Sequence, residues 1–112
     1  MIENIQQQLK QQFPQVCAKV TETSGEAWFA GLAQAVNADM AQGVDAGKHR
    51  QLLMSLKSHY FYGNEEVKGC LDTAFAGNLF WQIQPEQAQP YWQVLPKVFQ
   101  ELYVRDHGVL PV

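Results

Sequence analysis

Apolar residues recur every three or four positions along most of the chain, which is the spacing of one face of an α-helix. Near the start, Ile5, Leu9 and Phe13 form such a face. Alternation of apolar and polar residues, which is typical of a half-buried strand, is confined to residues 16–20. The pattern therefore predicts helices and gives only a weak indication of a strand.

Proline and glycine divide this pattern into about five helical segments. The first runs from Glu3 to Phe13, with a break or a short helix at Pro14, and the second runs from Thr23 to a left-handed cap at Gly43. The third runs from a cap at Asp45 to a break at Gly63, and the fourth, Glu65–Ile83, follows a cap at Asn64. The fifth is Pro96–Asp106. Between the last two segments, Pro85 and Pro90 predict only a short turn near Glu86–Leu95.

The segment Glu65–Ile83 is the most apolar part of the chain, with Leu71 and Phe75 on one side and Phe80 and Trp81 extending the apolar surface. A helix that is apolar around most of its circumference is usually buried among neighbours, so we expect this helix to be central. Together these features predict an all-α fold of about five helices, in an irregular bundle or a HEAT-like helix stack. The length of 112 residues is that of a single domain, residues 1–112.

The composition restricts the class of partner. The formal net charge of −3 argues against direct binding of nucleic acid and is compatible with a basic protein partner. No apolar run reaches the ~20 residues that a membrane-spanning helix needs, and the polar start lacks the apolar region of a signal peptide. We therefore expect a cytoplasmic protein that does not bind membranes.

Residues with catalytic or metal-binding chemistry do not form a recognisable pattern. Asp45 and His49 have helical i, i+4 spacing, but Asp45 is better explained as a helix cap than as a metal ligand. Cys17 and Cys70 lie in apolar surroundings typical of buried free thiols, with a disulfide as the alternative. We predict no catalytic residues, no metal and no cofactor, and hence no enzyme, although acid–base carboxylates need no local motif.

Ring-bearing side chains occupy four successive positions, from His59 to Tyr62. Each helical step turns about 100°, so the four cannot all face one core unless several neighbours surround the helix end. The alternative to full burial is that Phe61 and Tyr62 are exposed beside acidic residues. Such aromatic anchors are typical of protein interfaces. The predicted partner-binding residues are Phe61, Tyr62, Glu65, Glu66 and Asp72. The carboxylates of Glu65 and Glu66 are also explained by their place in the first turn of a helix.

Three motifs in fixed order resemble a known group of bacterial proteins. They are Asn64-Glu65-Glu66-Val67, Asn78-Leu79-Phe80-Trp81 and Trp92-Gln93-Val94-Leu95-Pro96-Lys97. The chain from about Val44 to Tyr103 is similar to small helical immunity proteins of contact-dependent growth inhibition and other polymorphic toxin systems. In this chain the matched residues Asn64, Asn78, Trp81, Trp92 and Pro96 are explained as helix caps, core aromatics and a kink.

The resemblance implies a function but no catalytic residues. Such a protein binds a cognate toxin domain in the cytoplasm, as a monomer or in a 1:1 complex, and covers its active site. The implied toxin is a basic nuclease domain, for example an RNase of the EndoU type. The alternative is a helical adaptor or homo-oligomeric domain without a toxin partner, in which Phe61, Tyr62 and Trp81 join two copies.

Overall fold

The computed structural model describes residues 2–23 and 25–112, and within these ranges the chain forms helices and no strands. The predicted all-α class is therefore confirmed, with seven α-helices in the described residues where about five were expected. They are α1 (Ile2–Gln12), α2 (Pro14–Cys17), α3 (Gly25–Ala41), α4 (Arg50–Tyr62), α5 (Glu65–Gly69), α6 (Pro85–Val94) and α7 (Lys97–His107). None of the helices in the described part of the chain is both long and apolar enough to cross a membrane.

The start of α4 differs from the prediction. A 3-10 turn, Ala46–His49, precedes α4, and the side chain of Asp45 makes no capping hydrogen bond to it. Two other predicted helix ends are confirmed. Gly43 has φ of 75° after α3, and the Asn64 side chain accepts a hydrogen bond from the Val67 amide at the start of α5.

The segment that follows α5 ends earlier than predicted. The helix continues as a π-helical turn, Cys70–Phe75, and a 3-10 turn, Ala76–Asn78, and then stops five residues before Ile83. Phe80 and Gln82 have φ of 66° and 56°, the left-handed conformation that ends a helix. This turn buries Phe80 and leaves Trp81 59% exposed, so the interpretation of Trp81 as a core residue is wrong.

A single side chain of α3 holds this turn in place. The buried Asn37 amide donates from Nδ2 to the carbonyl oxygen of Asn78 at 2.8 Å. Its Oδ1 accepts a hydrogen bond from the Phe80 amide, also at 2.8 Å. Both backbone groups would otherwise lack a helical partner, because the regular helix has ended.

A ten-residue helix, α6, replaces the short turn expected near Glu86–Leu95. Pro85 stands at the start of α6, where a missing amide hydrogen costs little. Pro90 lies inside the helix on its exposed side, while Ala88 and Tyr91 are buried. Burial of these two residues, with a 2.6 Å hydrogen bond from the Tyr91 hydroxyl to the Val44 carbonyl oxygen, therefore outweighs the helix-breaking tendency of Pro90.

The core is one cluster of apolar side chains centred on the segment between Val67 and Phe80. Leu71 and Phe75 are fully buried. α3 packs along the Cys70–Phe75 turn, and α7 covers it through Phe99, whose ring centroid lies 5.9 Å from that of Phe75. The predicted central position of this segment agrees with these contacts.

We expect Leu71→Ala to lower the free energy of unfolding by about 2–5 kcal/mol, because the substitution leaves a cavity in the centre of the core. Thermal or urea-induced unfolding followed by circular dichroism measures the effect. Gln93→Ala, at an exposed position of α6, is the control and should change stability by less than about 0.5 kcal/mol. An unchanged melting temperature for Leu71→Ala would show that this segment is not the centre of the core.

Asn37→Ala should destabilise the fold by about 1–3 kcal/mol, because it leaves the buried Phe80 amide without an acceptor. Amide hydrogen exchange should accelerate at Phe80 more than elsewhere. Asn4→Ala, an exposed asparagine of α1, is the matched control. Equal protection of the Phe80 amide in both variants would contradict the role assigned to Asn37.

Candidate functional site

The aromatic run at the end of α4 is partly exposed. Tyr60 is half-buried, with its ring centroid 6.0 Å from that of Phe99. Phe61 is 54% exposed and Tyr62 is 91% exposed. Of the two arrangements that the sequence left open, full burial is therefore excluded for Phe61 and Tyr62.

The turn between α4 and α5 passes close to its neighbours at Gly63. A Cβ atom on Gly63 would lie 2.6 Å from the His59 carbonyl oxygen and 2.6 Å from Cγ1 of Val67, so only glycine fits without displacing the chain. The next residue, Asn64, starts α5 at once through its 3.0 Å hydrogen bond from the Val67 amide. We call Phe61, Tyr62, Glu65 and Glu66 the corner, because these four residues flank the turn at Gly63 and Asn64.

Glu65 and Glu66 are exposed in the first turn of α5. Neither carboxylate forms an ion pair with another side chain in the described part of the chain. The helix dipole favours carboxylates at this position, and the same carboxylates are accessible to a basic partner. The corner therefore combines two exposed rings with two accessible negative charges.

Asp72, the fifth predicted contact residue, is in a different environment. Its carboxylate is held by the Arg105 guanidinium of α7, which also bonds to Asp106 at 2.9 Å. Burial raises the pKa of Asp72, and the neighbouring Asp106 raises it further. Together these two effects outweigh Arg105, which lowers the pKa. The role of Asp72 as a partner contact stays a prediction, but within the chain it links the central segment to α7.

One exposed apolar residue of α4, Met54, lies on the same face as the rings of the corner. Met54 is 46% exposed and Ser58 is also exposed. Positions 54, 58, 61 and 62 share one face, because residues four and seven apart align on a helix. Sequence reasoning missed Met54, although its i, i+7 relation to Phe61 is visible in the sequence.

A buried polar network at the other end of α4 was not predicted. Its centre is the carboxylate of Asp39, which is only 5% exposed. One carboxylate oxygen is 2.6 Å from Lys19 Nζ and the other is 2.8 Å from His49 Nε2. His49 therefore pairs with Asp39 and not with Asp45, the residue at helical i, i+4 spacing. One feature of the sequence could have indicated that Asp39 is buried: it follows Ala35 by four positions, so both lie on the same face of α3.

The network keeps Asp39 ionised. Burial by itself raises the pKa of Asp39, but hydrogen bonds and positive charge from Lys19 and His49 outweigh it, so the pKa lies below the ordinary 3.8. The network connects the chain after α2, the end of α3 and the turn before α4.

The two cysteines are buried and free, which agrees with the preferred interpretation of the sequence. Burial raises the pKa of Cys17 to about 11, and its Sγ donates to the Leu9 carbonyl oxygen at 3.5 Å. Burial also raises the pKa of Cys70. Both thiols are therefore protonated and poorly nucleophilic near neutral pH. Among the described residues, no group of three or more His, Cys, Asp or Glu is placed to hold a metal ion.

The lowered pKa of Asp39 predicts a specific response to acid. A carboxyl group whose pKa is lower in the folded state contributes stability above its unfolded pKa, and this contribution is lost as the pH falls through the folded value. The free energy of unfolding should therefore decrease below pH 3.8, and Asp39→Asn should reduce this decrease. Acid titration of unfolding, with the exposed Asp45→Asn as control, measures it. The same pH dependence in Asp39→Asn and wild type would contradict the assignment.

Comparison with known proteins places the chain in a family but gives no activity. Residues 7–108 match the model of a family described as "Domain of unknown function (DUF7674)". No curated protein and no solved structure matches the chain. Since the match covers well over half of the 112 residues, the chain belongs to the DUF7674 family.

Proposed function

We propose that this protein is an immunity protein that binds a cognate bacterial toxin domain in the cytoplasm and covers its active site. The single observation that supports this proposal best is the corner, where Phe61 and Tyr62 are exposed next to the exposed Glu65 and Glu66, across the turn at Gly63. The order of the motifs from Asn64 to Lys97 resembles that of immunity proteins and indicates a toxin domain as the class of partner.

The corner has the chemistry of an interface centre. Large aromatic side chains contribute much of the binding free energy in protein interfaces, because they bury a large area with few rotatable bonds. Tyr62, at 91% exposed, has nearly its whole side chain available for burial by a partner.

The charge around these rings indicates the kind of toxin. Glu65 and Glu66 are unpaired with other described side chains, and the whole chain carries a net charge of −3. A toxin that acts on nucleic acid carries a basic surface around its active site. We therefore infer a nuclease, an RNase of the EndoU type being one candidate, as the toxin that is neutralised in a 1:1 complex.

Affinity purification of the tagged protein from its native cells, followed by mass spectrometry, identifies the partner. The expected partner is the C-terminal domain of a large secreted protein. Its expression alone should arrest bacterial growth, and co-expression of this protein should restore growth. Recovery of the protein only with itself, or a partner whose expression is harmless, would overturn the immunity proposal and favour the homo-oligomeric alternative.

Phe61→Ala and Tyr62→Ala should each weaken binding to the purified toxin domain by about 2 kcal/mol, roughly thirtyfold, if they are anchors. Val109→Ala and Leu110→Ala, which are also exposed apolar residues, are the matched controls. Isothermal titration calorimetry measures the affinity, and circular dichroism checks the fold. Equal affinities for all four variants would place the interface elsewhere.

The acidic side chains are tested separately by association kinetics. Glu65→Lys with Glu66→Lys should slow association and reduce its dependence on salt, because steering charges act mainly on the association rate. Glu86→Lys, at an equivalent first-turn position of α6, controls for the loss of a helix-dipole interaction. If association is independent of salt in the wild type, the acidic corner does not steer the partner.

A further inference from the structure

A cleft of about 520 Å³ opens beside the start of α4. Its accessible apolar lining comprises Phe13, between α1 and α2, Pro14 of α2 and Val44, and the buried Val16 and Leu52 complete it. This volume is within the range of pockets that bind small molecules. The apolar walls can accommodate the body of such a molecule.

The floor of the cleft is polar and rigid. Asp39 and His49 both line it, and they are only 5% and 6% exposed. Their 2.8 Å contact fixes both side chains. Tyr91 supports His49 from behind, with its ring centroid 5.9 Å away and its hydroxyl bonded to the Val44 carbonyl oxygen.

The cleft offers several hydrogen-bond donors. Both oxygens of Asp39 are already occupied, by Lys19 and His49. The Lys19 ammonium has three N–H groups, and Asp39 takes one of them. Lys48 adds a second, exposed ammonium group at the cleft. The side-chain amides of Gln12 and Gln15 can donate as well.

The charge of the cleft is opposite to that of the whole chain. Two lysines, Lys19 and Lys48, face the single carboxylate of Asp39, although the chain carries a net charge of −3. The nearby carboxylate of Asp45 is not part of the lining, because its side chain lies over Gly47. Lys48 has no ion-pair partner among the described residues, so an incoming anion meets this positive charge and the remaining N–H donors of Lys19.

We propose that this cleft binds a small organic anion, with its charged group at Lys19 and Lys48 and its apolar body against Phe13, Pro14 and Val44. The site is separate from the corner. Leu52 and Phe61 are nine residues apart on α4, which is about 14 Å along a helix. The cleft can therefore bind its ligand whether or not the corner binds a toxin.

Phenyl phosphate, which has a charged group and an apolar ring, is the probe. In ¹H–¹⁵N spectra of the whole protein, it should cause saturable shifts in the amides of Val16, Lys19 and Lys48. Inorganic phosphate lacks the apolar body and benzyl alcohol lacks the charge, so each should bind at least about tenfold more weakly. Lys48→Gln should weaken phenyl phosphate binding about tenfold, since it removes a charged donor.

Lys97→Gln is the matched control, because Lys97 is also exposed but does not line the cleft. Neither substitution removes a buried side chain, so both variants should keep the wild-type melting temperature. Unchanged affinity in Lys97→Gln together with the loss in Lys48→Gln supports the proposal. The absence of saturable shifts, shifts confined to other surfaces, or an equal loss in both variants would overturn it.

Discussion

The segment between Val67 and Phe80 must bury apolar side chains around most of its circumference, and the placement of the other helices follows from this requirement. α3 covers one side along the Cys70–Phe75 turn, and α7 covers another through Phe99. Asn37 then satisfies the backbone where the segment stops being helical. The cleft lies beside the start of α4 and the corner is at its end, where the turn at Gly63 leads into this segment.

Local patterns predicted the helices whose boundaries depend on nearby residues. Gly43 and Asn64 end and start helices through contacts within a few positions, and both were predicted correctly. The early end before Ile83 depends on Asn37, which lies 43 positions from Phe80 in sequence, so no local pattern contains it. The helix around Pro90 was missed for a similar reason, because the hydrogen bond between Tyr91 and Val44 spans 47 positions.

The predicted and the missed parts of the functional surfaces also differ in whether they depend on nearby or on distant residues. Helical geometry left two alternatives for the run from His59 to Tyr62, burial among several neighbours or exposure of some rings, and Phe61 and Tyr62 are exposed. Pairing of Asp39 with His49 depends on the chain reversal after α3, and pairing of Asp72 with Arg105 spans 33 positions. Such pairings cannot be predicted from charge and composition, because the pairings arise only when distant helices pack.

The turn at Gly63 separates residues that maintain the shape of the corner from residues that point outward. Gly63, Asn64 and Val67 are constrained by contacts within the chain, whereas Phe61, Tyr62, Glu65 and Glu66 are free of them on their outer sides. Exchange of the outward residues therefore costs little folding free energy. A fold of this kind can diversify its recognition surface through successive substitutions without losing stability at any intermediate step.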